Sequence, residues 1–194
     1  MKVEEKVNRE VGAEGGSGCR IGEWVLKVVT LIAWNDIHIY PKLKHTYIYI
    51  MIDILLDVHT HTLVSGHAFC TLNEMIAEAQ RHNLTIFGVS EHGPAIPGTC
   101  PPIYFRNQHV VPRQYGDMTL LMGAELNIID YEGNLDITDT ETLSSMDHII
   151  AGLHKLCYTD GTRQQNTSAL LGAIENPIVN IISHPCDGTA REID

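Results

Sequence analysis

Ile52-Asp53-Ile54-Leu55-Leu56-Asp57-Val58-His59-Thr60-His61 carries the pattern that organises the chain. Its apolar part has the length and composition of a buried strand. It ends in two histidines spaced two apart, which a strand points to the same side. Four later runs repeat the arrangement. Leu84–Val89 leads into Ser90-Glu91-His92, Thr119–Ala124 into Glu125, His148–Leu153 into His154, and Ile178–Ser183 into His184. From His61 the steps to His92, Glu125, His154 and His184 are 31, 33, 29 and 30 residues. One strand, one crossover helix and two loops take roughly 30 residues. The spacing therefore predicts a series of β/α units, each ending in a residue able to bind a metal.

The connections can supply the helices. Thr71-Leu72-Asn73-Glu74 is a capping box that opens an amphipathic stretch to His82, with Met75, Ile76 and Ala79 on one face. Gln164–Asn176 is a second helix, stopped by Pro177, while Thr140–Ser145 leaves room for only a short one. Parallel strands with ligands at their C-terminal ends describe the mouth of a β/α barrel, where residues distant in sequence converge. A single histidine at a strand end is ordinarily a hydrogen-bonded polar residue. Five strand ends in register, one of them carrying a doublet, point instead to a metal site. His82, on a helix, and His148, at a strand start, read as structural, and His38 and His45 lie outside the pattern.

Composition sets the frame. A chain of 194 residues, 44% hydrophobic and 19% charged, can bury one sizeable core. A net charge of −11 argues against a basic nucleic-acid surface. An acidic protein can still take a phosphate ester where bound cations reverse the local field. Cys19, Cys70, Cys100, Cys157 and Cys186 form no C-x-x-C pair, which argues against a disulfide framework and fits a reducing cytoplasm. The longest apolar stretch, Trp24–Trp34, is 11 residues interrupted by Lys27, too short to span a bilayer. The expectation is a soluble, cytoplasmic protein without a membrane partner. Residues 1–50 read as an N-terminal extension, with a Gly/Ser cluster and two β-prone runs, Val25–Ala33 and Tyr47–Leu56. Residues 51–194 read as the domain, with Met51 as its natural start.

Asp57-Val58-His59-Thr60-His61-Thr62, His67, Ser90-Glu91-His92-Gly93, Gly123-Ala124-Glu125, Gly152-Leu153-His154 and Ser183-His184-Pro185 together resemble the PHP (polymerase and histidinol phosphatase) family. Within it, Glu125-Leu126-Asn127-Ile128 and Ile181-Ile182-Ser183-His184-Pro185 are most similar to the small stand-alone YcdX-type phosphatases. The resemblance implies an α/β fold, a distorted seven-stranded β/α barrel holding up to three metal ions, usually zinc, with manganese or iron also used. By motif, His59, His61 and Glu125 would bind one ion, and Glu125, His154 and His184 a second, with Glu125 bridging. His67 and His92 would bind the third. Family members continue to a late Asp-x-His motif that completes two of these sites, whereas this chain ends at Asp194. The expectation is thus a partial barrel lacking its last β/α units, two of its metal sites one ligand short. Its open fifth strand would invite pairing with another copy in a homo-oligomer. Asp36-Ile37-His38 has the form of the missing motif in the wrong place, and reads as chance.

The implied activity is a metal-dependent hydrolase of phosphate monoesters. Clustered divalent ions lower the pKa of a bound water and supply hydroxide at neutral pH. Glu125 would be catalytic as the bridging carboxylate, and Asp57 would orient an imidazole. The proline-rich segment 93–116 has the length of a lid over the mouth, and its Arg113, ahead of Arg106, is the candidate to grip a small phosphorylated substrate. The alternatives are a histidinol phosphatase, a polymerase-associated phosphoesterase, or a non-catalytic fragment that binds metal.

Overall fold

The computed structural model describes residues 55–185 and Ile193, together with the backbone of Thr30–Leu31 and Tyr49–Ile50. These last two segments, β1 (Thr30–Leu31) and β2 (Tyr49–Ile50), pair antiparallel. Each falls inside one of the β-prone runs of the N-terminal part. The reading of residues 1–50 as an extension otherwise lies outside the described residues.

Five parallel strands form the frame, in the order β3 (Leu56–Asp57), β4 (Ile86–His92), β6 (Met118–Asn127), β7 (Ile149–Gly152) and β8 (Ile181–Ile182). They curl into a half-barrel, in keeping with the β/α units read from the spacing and the partial barrel implied by the resemblance. One strand departs from that expectation. The short β5 (Gln114–Tyr115) runs antiparallel against the start of β6 and returns the chain to the sheet.

Helices cover the outer face. α1 (Leu72–Arg81) is opened by the expected capping box, Thr71 receiving Glu74 N–H while the Glu74 carboxylate receives Thr71 N–H. It buries Met75, Ile76 and Ala79 against Phe87, Val89, Met118, Leu120 and Met122. Burying a methionine or isoleucine side chain stabilises the fold by about 1.5–3 kcal/mol each, so this face fixes α1 to the sheet. α2 (Pro102–Arg106) continues into a 3-10 turn at Asn107–Val110, and α3 (Thr140–Leu143) is the single turn its connection leaves room for. α4 (Arg163–Glu175) is opened by a second capping box, between Thr162 and Gln165, and buries Ala169, Leu170 and Ala173 in the core.

Strand parity separates core from site. In β6 the even residues Leu120, Met122, Ala124 and Leu126 join the apolar clusters, so Gly123, Glu125 and Asn127 face the hollow of the half-barrel. His148 fills the floor of that hollow. It is 7% exposed, and its Nε2 meets the Val58 carbonyl at 2.9 Å, joining the start of β7 to the end of β3 across the two strands between them. Only glycine leaves room for the ring. A Cβ at Gly123 would lie 2.5 Å from His148 Nδ1, and one at Gly88 would lie 3.1 Å from His148 Cε1. Burial lowers the His148 pKa below its ordinary value, against the upward pull of the Val58 carbonyl. His148 is thus structural, as its place at a strand start suggested.

Against the reading that the cysteines form no disulfide framework, Cys70 is disulfide-bonded, whereas Cys100 and Cys157 are free. Among the described residues, no helix is long and apolar enough to cross a membrane.

Candidate metal centre

Glu125 is fully buried in the hollow, and five imidazoles surround it. Its Oε2 lies 3.1 Å from His59 Nε2, 3.3 Å from His61 Nε2 and 3.1 Å from His92 Nδ1. Its Oε1 lies 3.2 Å from His154 Nε2 and 2.9 Å from His184 Nε2. Every one of these residues sits at or just past the C-terminal end of a strand: His59 and His61 after β3, His92 in β4, Glu125 in β6, His154 after β7, His184 after β8. His184 takes a backbone φ of +25° to reach the carboxylate, a conformation that non-glycine residues adopt where surrounding structure enforces it. Gly152 keeps the approach open, since a Cβ there would meet Ser183 Oγ at 2.4 Å and Glu125 Oε1 at 3.1 Å.

The electrostatics follow from this crowding. Burial alone would raise the Glu125 pKa, but the His154, His184, His59 and His61 imidazoles outweigh it and hold the carboxyl far below its ordinary range. His92 is pushed down to about 3, first by burial and then by neighbouring imidazoles, against the pull of Glu125. Glu125 Oε2 and His92 Nδ1 are both buried without a hydrogen bond of proper geometry, although they lie 3.1 Å apart. Buried polar atoms left unpaired at that range are what a cation would satisfy.

Three sets of ligand atoms, each within 4.8 Å of one another, could hold an ion: His61, His67 and His92; His59, Glu125 and His184; His92, Glu125 and His154. All seven candidate ligands are brought together here. The two oxygens of Glu125 divide the histidines as the resemblance implied, His59 and His61 at Oε2 and His154 and His184 at Oε1, with His92 also at Oε2, whereas the three sets cut across that division. His59 is paired with His184 through Glu125, and His61 with His67 and His92, whose ring centroids lie within 4.9 Å of each other.

Arg113 is not brought to this cluster. Its guanidinium is held by Asp147 and by the carbonyls of Gln108 and Val111. Its own carbonyl bonds Leu120 N–H, five residues before Glu125 in β6, or roughly 16 Å along a strand. Arg106 is likewise paired, with Asp139 and Thr142. Asp57 receives the His59 backbone N–H, and burial raises its pKa despite that bond.

Four residues to which the sequence reading gave no role hold the ligands in place. Asn127 Nδ2 donates to Asp136, leaving Oδ1 to meet His154 Nδ1 at 2.6 Å. Asp136 also accepts from the backbone N–H groups of Ala95 and Asn127, which tie the loops after β4 and β6 together. Glu91, fully buried, accepts from Thr62 and from the Ser65 hydroxyl, and Ser65 in turn touches His61. Asn127 shares the parity of Glu125 and lies in the quoted Glu125–Ile128 stretch, and these are the sequence signals that could have found it.

The profile described as PHP domain matches residues 57–182 of this chain. The chain belongs to the PHP family. The match runs from Asp57 at the end of β3 to the end of β8 and takes in the helices between. A protein of Caldicellulosiruptor bescii named probable phosphatase is 44% identical to this PHP domain over 130 residues, 67% of the chain and 54% of that protein. Proteins of the same name from Clostridium botulinum and Clostridium novyi are 47% and 45% identical, each with 53% of its length covered. The chain spans about half the length of the curated relatives it matches.

Proposed function

We propose that this PHP domain carries the metal centre of a hydrolase that acts on small phosphate monoesters. The observation that carries the reading is the buried Glu125 carboxylate, which has five imidazole nitrogens within 3.3 Å and one oxygen without a hydrogen bond. The names of the relatives support phosphatase chemistry, and the donor set of nitrogen and carboxylate oxygen suits zinc or manganese.

Bound divalent cations would lower the pKa of a water and polarise the phosphoryl oxygens. The chain's residues do the holding. Glu125 belongs to two of the three sets of ligands, so it would help to hold two neighbouring ions. His59 and His184 complete one set, His92 and His154 another. His61 and His67 add a third with His92. The phosphate charge would be met by this cluster, because Arg113 and Arg106 are committed to Asp147 and Asp139. The acidic balance of the chain favours a small ester over a nucleic-acid end.

Metal content by plasma mass spectrometry on purified protein, alongside hydrolysis of p-nitrophenyl phosphate with added zinc or manganese, tests this. The expected result is two or more ions per chain and turnover abolished by His154→Ala. One ion or none, with no turnover, would reduce the chain to a metal-binding fragment without catalysis.

A further inference from the structure

Ser65 lies in a single 3-10 turn, Leu63–Ser65, closed by Gly66 with a φ of +78°. It is 4% exposed and outside the set of ligands, yet it touches every member of the group formed by His61, His67 and His92. Its hydroxyl oxygen lies 3.1 Å from His61 Nδ1 and accepts the His92 backbone N–H at 3.0 Å. Its backbone carbonyl lies 3.3 Å from His67 Nδ1. The hydroxyl also bonds Glu91 Oε2.

Counting hydrogens fixes the direction of each bond. A serine hydroxyl has one hydrogen to give and two lone pairs to offer, and a carboxylate only accepts. The hydroxyl hydrogen is therefore committed to Glu91. Thr62 N–H and the Thr62 hydroxyl converge on the same carboxylate. Burial and the nearby Glu91 charge together push the Tyr104 phenol above its ordinary range. Toward His61, Ser65 can then only accept, so His61 must carry its hydrogen on Nδ1. The opposite tautomer would require one hydroxyl hydrogen to serve two acceptors. The Ser65 carbonyl, also an acceptor, demands the same tautomer of His67.

We propose that Ser65, oriented by Glu91, is a positioning residue that sets both His61 and His67 as Nδ1–H imidazoles, so that each turns the lone pair of Nε2 to one shared centre. The proposal rests on the metal-centre reading for its purpose and on the hydrogen-bond geometry for its substance. The two can fail separately.

The test is a long-range proton–nitrogen correlation spectrum of the metal-free, nitrogen-15 histidine-labelled chain, above the ordinary imidazole pKa of about 6.5. His61 and His67 should both show a protonated Nδ1. A wild-type His61 protonated on Nε2 overturns the proposal without any variant being made. In Ser65→Ala, His61 should lose its tautomer preference while His67, bonded to a carbonyl the substitution leaves in place, keeps its own. Ser65→Thr, which retains a hydroxyl, should restore the His61 signature. Zinc affinity by chelator competition should fall about ten- to a hundredfold in Ser65→Ala and recover in Ser65→Thr. Equal affinity in wild type and Ser65→Ala overturns the positioning role. A wild type that binds no zinc overturns the metal-centre reading, whatever the spectra show.

Discussion

Asn127 sits two residues beyond Glu125 in β6 and therefore on the same face of the strand. Its side chain passes the anchoring of Asp136 to His154, so it sets the direction of a ligand without being one. Removing such a partner typically weakens metal affinity 10–100-fold. Asn127→Ala should show that loss for zinc by chelator competition, with the fold intact by circular dichroism. Unaltered affinity would mean that His154 is oriented by packing alone. Gly152 is constrained in another way. A methyl there would lie 2.9 Å from His154 Cε1 as well as 2.4 Å from Ser183 Oγ. Gly152→Ala should therefore displace His154 and lower the number of bound ions per chain, and an unchanged count by plasma mass spectrometry would contradict the crowding.

The elements differ in how plainly their sequences announced them. The capping box at Thr71 and the apolar face of α1 are local signals, and the helix runs where they place it. Met75→Ala should cost about 2–5 kcal/mol, read as a lowered urea midpoint, because Met75 is 2% exposed among Phe87, Leu120 and Met122. The second capping box, Thr162 with Gln165, opens α4 at Arg163, one residue before the start read from the sequence. β5 was not legible at all, since a two-residue strand has no period to read and is held by pairing with β6. The site shows the same division. Its histidines and Glu125 announced themselves because strands end there. Ser65, Glu91 and Asp136 did not, because their roles depend on loops that meet only when the sheet has curled. The long connection after β4 was read as a source of phosphate-binding arginine, but Arg113 is turned to Asp147 by the approach of the β7 start.

At the level of the whole molecule, the half-barrel hides imidazoles that the unfolded chain would expose. His148 and His92 are both held below the ordinary histidine value, His92 at about 3. Between those lowered values and about 6.5, the unfolded chain binds protons that the folded chain refuses. Stability of the metal-free protein should therefore rise with pH through this window and level off above it, by up to about 1.4 kcal/mol per pH unit for each such histidine. Urea midpoints at a series of pH values would show this slope, and a midpoint that rises on acidification below pH 6 would contradict the burial of these rings. The ten residues of β6 also have a consequence for how this chain can vary. One face of that strand packs under the helices while the other holds Gly123, Glu125 and Asn127, so a single-residue insertion would exchange the two. Deep mutational scanning should find residues 118–127 nearly intolerant of change. The turn at Asp130–Asn134 should be as strict in length, because Gly133 is buried with its α-carbon against Ala169, Gly172 and Ala173 of α4.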